Sequence, residues 1–327
     1  MGRVTSRDVA REARVSQNTV SLVARDSARV RPETKRAVRA VMERLGYHPN
    51  AVAAALRSQQ TRTLAFVVHT HAVHHPVAAA LLAGTIAAAE RHGYTVVAQT
   101  VRDDDPAATL ALYRSQSVSG AMVFARITDD PMVGGLHHGG CPVVSLLQPC
   151  ACLPPDHSIV ADDGGGAAAA IDHLCQRGHH RLGLVAAPSD DSTLAQARIG
   201  AARAAAAAAD APLRVVMAAD WTVEAGREAG LALLAGEDPP TGVFAISDRL
   251  AVGVLEAATA TGLAVPRDVA VVGFDNIEWA RYCHPPLTTV EFPLEDIAAE
   301  GVARLLRPHA PPAFARAPAR LVVRQST

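Results

Sequence analysis

Val38, Val41, Met42 and Leu45 recur three or four residues apart between Pro32 and Gly46. That spacing places them on one stripe and predicts an amphipathic helix over about 32–45. Pro32 and Glu33 suit its first turn and Gly46 its end. Upstream, Val9, Ala10 and Ala13 predict a short helix over about 6–13, led by Thr5. Another begins at Ser16, whose hydroxyl can accept an orphan backbone N–H. Along it Asn18, Ser21, Leu22 and Arg25 share an arc of about 100° opposite Val20 and Val23. Two helices joined by a short turn at Arg14-Val15 and braced by a third predict a helix-turn-helix unit over residues 1–48.

The texture changes in residues 49–62. Pro49 breaks the chain, Asn50 can cap, and residues 51–57 suit a short helix running into a polar linker. From residue 63 onward apolar runs alternate with alanine-rich helical stretches. "TLAFVV", "YTVVAQ", "GAMVFA" and "CPVVSL" precede "SIVADDGGGAAAA", and "RLGLVAA", "LRVVMA", "GVFAIS" and "VAVVGF" follow it. Runs this apolar, separated by helices, predict α/β lobes built on parallel sheets, with a cleft between two similar halves.

The net charge of −1 conceals a division. Residues 1–62 carry 13 Lys/Arg against 5 Asp/Glu, a net of +8, which leaves 18 against 27, a net of −9, for the rest. A basic head on an acidic body points to a polyanionic partner for the head. The first thirty residues are charged throughout, no stretch is long and apolar enough to span a bilayer, and five cysteines form an odd set of free thiols. The expectation is a cytoplasmic protein with no membrane partner.

"VTSRDVAREA", "VSQNTVS", "RPETKRAV", "LGYHPNAVAAALRS", "DDGGGAA", "LCQRGHHRLGLV", "AISDRLAVGVLEA", "VPRDVAVVGFDN", "PPLTTVEFP" and "LVVRQST" follow one another along almost the whole chain. With these motifs the sequence resembles the lac repressor (LacI/GalR-type) family of bacterial transcription regulators. The resemblance implies a helix-turn-helix domain, a hinge helix in 49–62, and a two-lobed, periplasmic-binding-protein-like body over 63–327. One lobe would take about 63–160 and 291–320, the other about 161–290 and 321–327. It further implies a homodimer on double-stranded, pseudo-palindromic operator DNA, controlled by a small hydroxylated effector related to sugars.

Carried over residue by residue, Gln17, Asn18 and Leu22 become base-edge readers, and Thr5, Ser16, Thr19, Tyr47 and Asn50 backbone contacts. Ser21 and Arg25 complete the outward face. Leu56 becomes a minor-groove wedge, and Ala53 lets paired hinge helices approach closely. The alternatives are a merely solvated polar face, and for Leu56 an ordinary apolar contact. Leu22 stands where the family commonly has arginine, so one guanine contact is absent. Arg14 stands for the usual turn glycine, Arg31 for a helix-capping serine, and Arg25 for asparagine.

In the cleft the resemblance selects Asp275 as a ligand-hydroxyl acceptor and Trp221 as a stacking ring, with simple packing as the latter's alternative. Asp248 and Arg198, beside the position where the family arginine is expected, join them. "HTHAVHHP" adds His71 and His75 as neutral donors and acceptors; its four histidines raise a metal site as the rival reading. No metal, cofactor or catalytic residue is expected. A nucleotide-dependent α/β enzyme would need a phosphate loop, but Gly164–Gly166 lack both the dinucleotide and the P-loop spacing. A ligand-binding protein of the periplasmic type without DNA function is the other competitor.

Overall fold

The computed structural model describes residues 4–24, 27–47, 61–102, 105–124, 129–188, 192–308, 313 and 316–327, without the side chain of His71. Arg25, Asn50, Ala53 and Leu56, and with them the expected hinge helix, lie outside the described residues. The chain divides into two units, Met1–Thr61 and Arg62–Thr327.

In the first unit α1 (Ser6–Glu12), α2 (Gln17–Ala24) and α3 (Pro32–Arg44) enclose Val9, Ala10, Val20, Val23, Val30, Val38, Val41 and Met42. The stripe read from the sequence is this core; Ala13 stays half-buried at its margin. Asp8 closes the start of α1 by accepting from the backbone N–H of Thr5 at 3.0 Å and from its hydroxyl at 2.7 Å. Ser16 caps α2, its oxygen accepting from the Thr19 N–H at 3.0 Å.

Two departures from the family pattern cost stability. Arg14 adopts φ +53° in the turn between α1 and α2, a left-handed conformation that favours glycine. Arg31 precedes α3 without a side-chain cap bond. Arg14→Gly and Arg31→Ser are each expected to stabilise the isolated head by about 1 kcal/mol. Urea unfolding of the three proteins checks this.

In the second unit two sheets repeat one strand order. β1 (Thr63–His69), β2 (Thr95–Val101), β3 (Ala121–Phe124), β4 (Val143–Leu147) and β5 (Ser158–Val160) form a parallel sheet ordered β2-β1-β3-β4-β5. β6 (Leu182–Ala186), β7 (Leu213–Met217), β8 (Gly242–Ala245), β9 (Ala270–Phe274), β10 (Thr288–Glu291) and β11 (Arg320–Val322) form the second, ordered β11-β10-β9-β8-β6-β7. Among the described residues of that sheet only β11 runs antiparallel, pairing with β10. Each order reverses once, between β1 and β3 and between β6 and β8, and a crevice opens beyond the carboxyl ends of strands at such a point.

The helix Leu294–Leu306 follows β10 of the second sheet but packs on the first. A side chain at Gly301 would strike Met122 Cε at 2.6 Å, and one at Gly84 would meet Ala298 Cβ at 2.9 Å. The chain therefore crosses between sheets after Glu291. It returns near Ala317, which bridges Ala161 and precedes β11.

Candidate functional site

On the head, Gln17 and Asn18 are exposed at the start of α2, and Thr19, Ser21 and Leu22 are half-exposed beside them. Thr19 Oγ1 lies 2.9 Å from Ser16 Oγ. Gln17 Nε2 donates to Ser6 Oγ on α1 at 3.1 Å, a partner that α2 alone gives no means of foreseeing. Leu22 and Tyr47 both lean on the apolar core, so each offers only part of its side chain to an external surface.

In the second unit the focal residue is Arg198, 4% exposed on the helix Thr193–Ala208. Its Nε donates to Asp163 Oδ1 at 2.8 Å and its Nη1 to the carbonyl of Ile246, just beyond β8, at 2.7 Å. Nη1 also lies 3.2 Å from Asp275 Oδ1, and the guanidinium carbon stands 3.7 Å over the Phe274 ring. Burial pushes the Asp163 carboxyl upward, while the charge and hydrogen bond of Arg198 pull it back. The arginine carried over by resemblance thus gathers three strand-end loops.

Asp275 leaves β9 with φ +104° and Asn276 follows at +49°, two consecutive left-handed residues. Such strain persists only where neighbours over-determine it. The backbone N–H of Asp275 donates to the Val290 carbonyl at 2.8 Å, and the Asn276 amide bridges Glu291 and Arg324.

His75 enters from the first sheet's side. Its ring centroid is 6.0 Å from that of Phe124, and Nδ1 is buried without a hydrogen-bond partner among the described residues. Burial lowers its pKa, and the charges of Asp275, Arg249 and Arg198 are all felt at the ring. A hydrogen bond from Thr193 Oγ1 to Gln148 Oε1 at 3.1 Å joins the segment after β6 to the segment after β4. Trp221 packs half-buried against the hydrophobic core. A cavity of about 510 Å³ runs along the helix Pro76–Arg91 and meets this centre at Asp275 alone.

The four histidines do not act alike. His69 is buried, with Nε2 2.7 Å from Asp130 Oδ2, and Asp130 also caps the helix Pro131–His138. His74 is exposed. Among the described residues no group of three or more His, Cys, Asp or Glu is arranged to hold a metal ion. The glycine run after Asp162 starts a helix, with the Gly165 N–H donating to Asp162 Oδ1 at 3.2 Å. A side chain on Gly166 would come within 2.8 Å of Val290. Close contacts account for Gly165 and Gly166.

Asp248 is not brought to the crevice. Its side chain is fully buried, accepting from Thr289 Oγ1 at 2.5 Å and from the Ile277 N–H at 2.8 Å. It fastens the loop after β9 from below. Burial first, and the charge of Asp275 second, raise its pKa well above the ordinary 3.8. The folded state then binds more protons than the unfolded chain between 3.8 and that raised value, so stability is greatest below this window and falls as pH rises through it. Asp248→Asn is expected to flatten the profile and to be the more stable protein above the window, as urea unfolding from pH 4 to pH 9 will show.

Residues 5–50 match the bacterial regulatory proteins of the lacI family, and residues 171–327 match the periplasmic binding protein-like domain. The chain is 33% identical to the HTH-type transcriptional regulator CelR of Thermobifida fusca, over 93% of this chain and 91% of that protein. It is 30% identical to catabolite control protein A of Priestia megaterium, over 93% and 92% of the two chains. The lac repressor dimer bound to operator and the anti-inducer ONPF superposes with a TM-score of 0.82 at 26% identity, covering 99% of each chain. A CelR–cellobiose complex superposes at 0.72 and 29% identity, covering 99% of this chain and 100% of that one. An exposed polar helix face on a compact three-helix head, a twice-repeated strand order and relatives matched over nine-tenths of the length agree: the chain belongs to the lacI family of bacterial regulatory proteins.

Proposed function

We propose that this protein is a cytoplasmic, effector-responsive transcriptional repressor rather than an enzyme. As a homodimer it binds a pseudo-palindromic operator through α2, and it holds a small hydroxylated ligand, a sugar or related metabolite, between the lobes of residues 63–160 with 291–320 and 161–290 with 321–327. The observation that carries this reading is the crevice centre. Arg198, Asp163, Asp275 and His75 supply hydrogen-bond donors and acceptors at one centre, which suits a hydroxylated ligand. Gln17, Asn18, Leu22, Ser21 and Arg25 take the groove, with Thr5, Ser16, Thr19, Tyr47 and Asn50 on phosphates and Leu56 and Ala53 at the operator centre. To the ligand we assign His71, His75, Arg198, Trp221 and Asp275, with Asp248 supporting the Asp275 loop.

Exposed Ile86 and Val97 on the first sheet's layer and Trp279 and Tyr282 on the second's supply apolar area for the partner protomer. Ligand binding shifts the lobes between two arrangements, and the difference in ligand affinity between them sets the change in operator affinity. Selection of operators from random duplexes, together with a thermal-shift screen of neutral sugars, tests the proposal. An enriched inverted repeat and a sugar that raises the Tm support it; enrichment of no sequence overturns it.

A further inference from the structure

The contact between Ser6 and Gln17 joins the starts of two capped helices. α1 is fixed by the bonds of Thr5 to Asp8 and by Arg11, whose Nη2 donates to Asp8 Oδ1 at 3.0 Å. α2 is fixed by Ser16. Both helix starts are therefore fixed by capping bonds, and the 3.1 Å bond from Gln17 Nε2 to Ser6 Oγ holds one exposed side chain between them. Asn18, its neighbour on the same exposed face, makes no side-chain hydrogen bond among the described residues.

From this juxtaposition we infer that Ser6 is a positioning residue for base reading: it holds the Gln17 amide in one orientation, in which Gln17 recognises adenine. The inference rests on the DNA-binding function proposed above. A glutamine amide nitrogen carries two hydrogens. Ser6 takes one, and the second N–H together with the carbonyl oxygen matches the N7 acceptor and N6 donor that adenine presents in the major groove. An untethered glutamine must lose its rotamer freedom on binding; a tethered one has lost it already, and a preorganised group binds in proportion to its competent population. Because the tether acts on one side chain only, its effect falls on one base pair of each half-site.

The test is a competition assay with the full-length protein against operators substituted singly at every half-site position. Ser6→Ala is expected to reduce the preference for adenine at one position about three- to tenfold, the scale of one net hydrogen bond. It should leave the other positions and the salt dependence of binding unchanged. Gln17→Ala removes the preference at that same position, and Ser6→Thr, which keeps the hydroxyl, restores it. Ser6 is half-exposed, so circular dichroism of the alanine variant is expected to match the parent. An unaltered preference at every position, or a loss spread evenly over all sequences, overturns the tether while leaving the DNA-binding function standing. A parent protein that enriches no operator removes that function and this inference together.

Discussion

Arg198→Ala is expected to destabilise the second unit by about 3–5 kcal/mol and to abolish any ligand-induced rise in its Tm. Removing one member of a buried ion pair costs that much because the remaining charge has nowhere to go. Here two carboxylates are left, Asp163 and Asp275, which the arginine had held at 2.8 and 3.2 Å. The Ile246 carbonyl loses its donor and the Phe274 ring its cation. The like charges then oppose each other in a crevice with little solvent to screen them. Arg198→Lys preserves the charge but not the planar fork that serves Asp163, Ile246 and Asp275 together, so an intermediate loss is expected. Urea unfolding and thermal shift measure both effects. A loss below about 1 kcal/mol would show that the centre is solvated and that its ion pairs do not shape it.

The second large effect concerns the head. The fragment 62–327 is one compact unit, and it lacks nearly all of the basic excess found in residues 1–62. Its operator affinity is expected to fall about a thousandfold or more, the usual gap between specific and non-specific binding. The ligand-induced shift in Tm should survive, because Arg198, Asp163, Asp275 and His75 all remain. A fragment that still binds operator would place the DNA site on the body instead.

Much of this was legible in the sequence because it rests on short-range periodicity. The stripe of Val38, Val41 and Met42 and the inward Val20 and Val23 are the head's core, and each of the eight apolar runs contains a strand. β5, β10 and β11 went unread: three or four residues long, they take their strand character from neighbours rather than from an extended apolar run. The side-chain partnerships were less legible still. Asp163 meets Arg198 across 35 positions, and no local pattern reports such a pair. His69 and His75 sit in one motif yet differ entirely, one locked to Asp130 and the other set against Phe124 with a buried, unpartnered Nδ1, because β1 ends at His69. Asp248 looked like a ligand contact from its motif; its helix turns it instead toward Thr289 and Ile277.

Operator binding depends on the head docking on phosphates, and salt reports that directly. Operator affinity of the full-length protein should be measured by fluorescence anisotropy across a series of salt concentrations. Each phosphate neutralised contributes about −0.9 to the slope of log affinity against log salt, so a dimer bearing two such basic heads should give a slope of about −4 or steeper. A slope near zero would contradict the account.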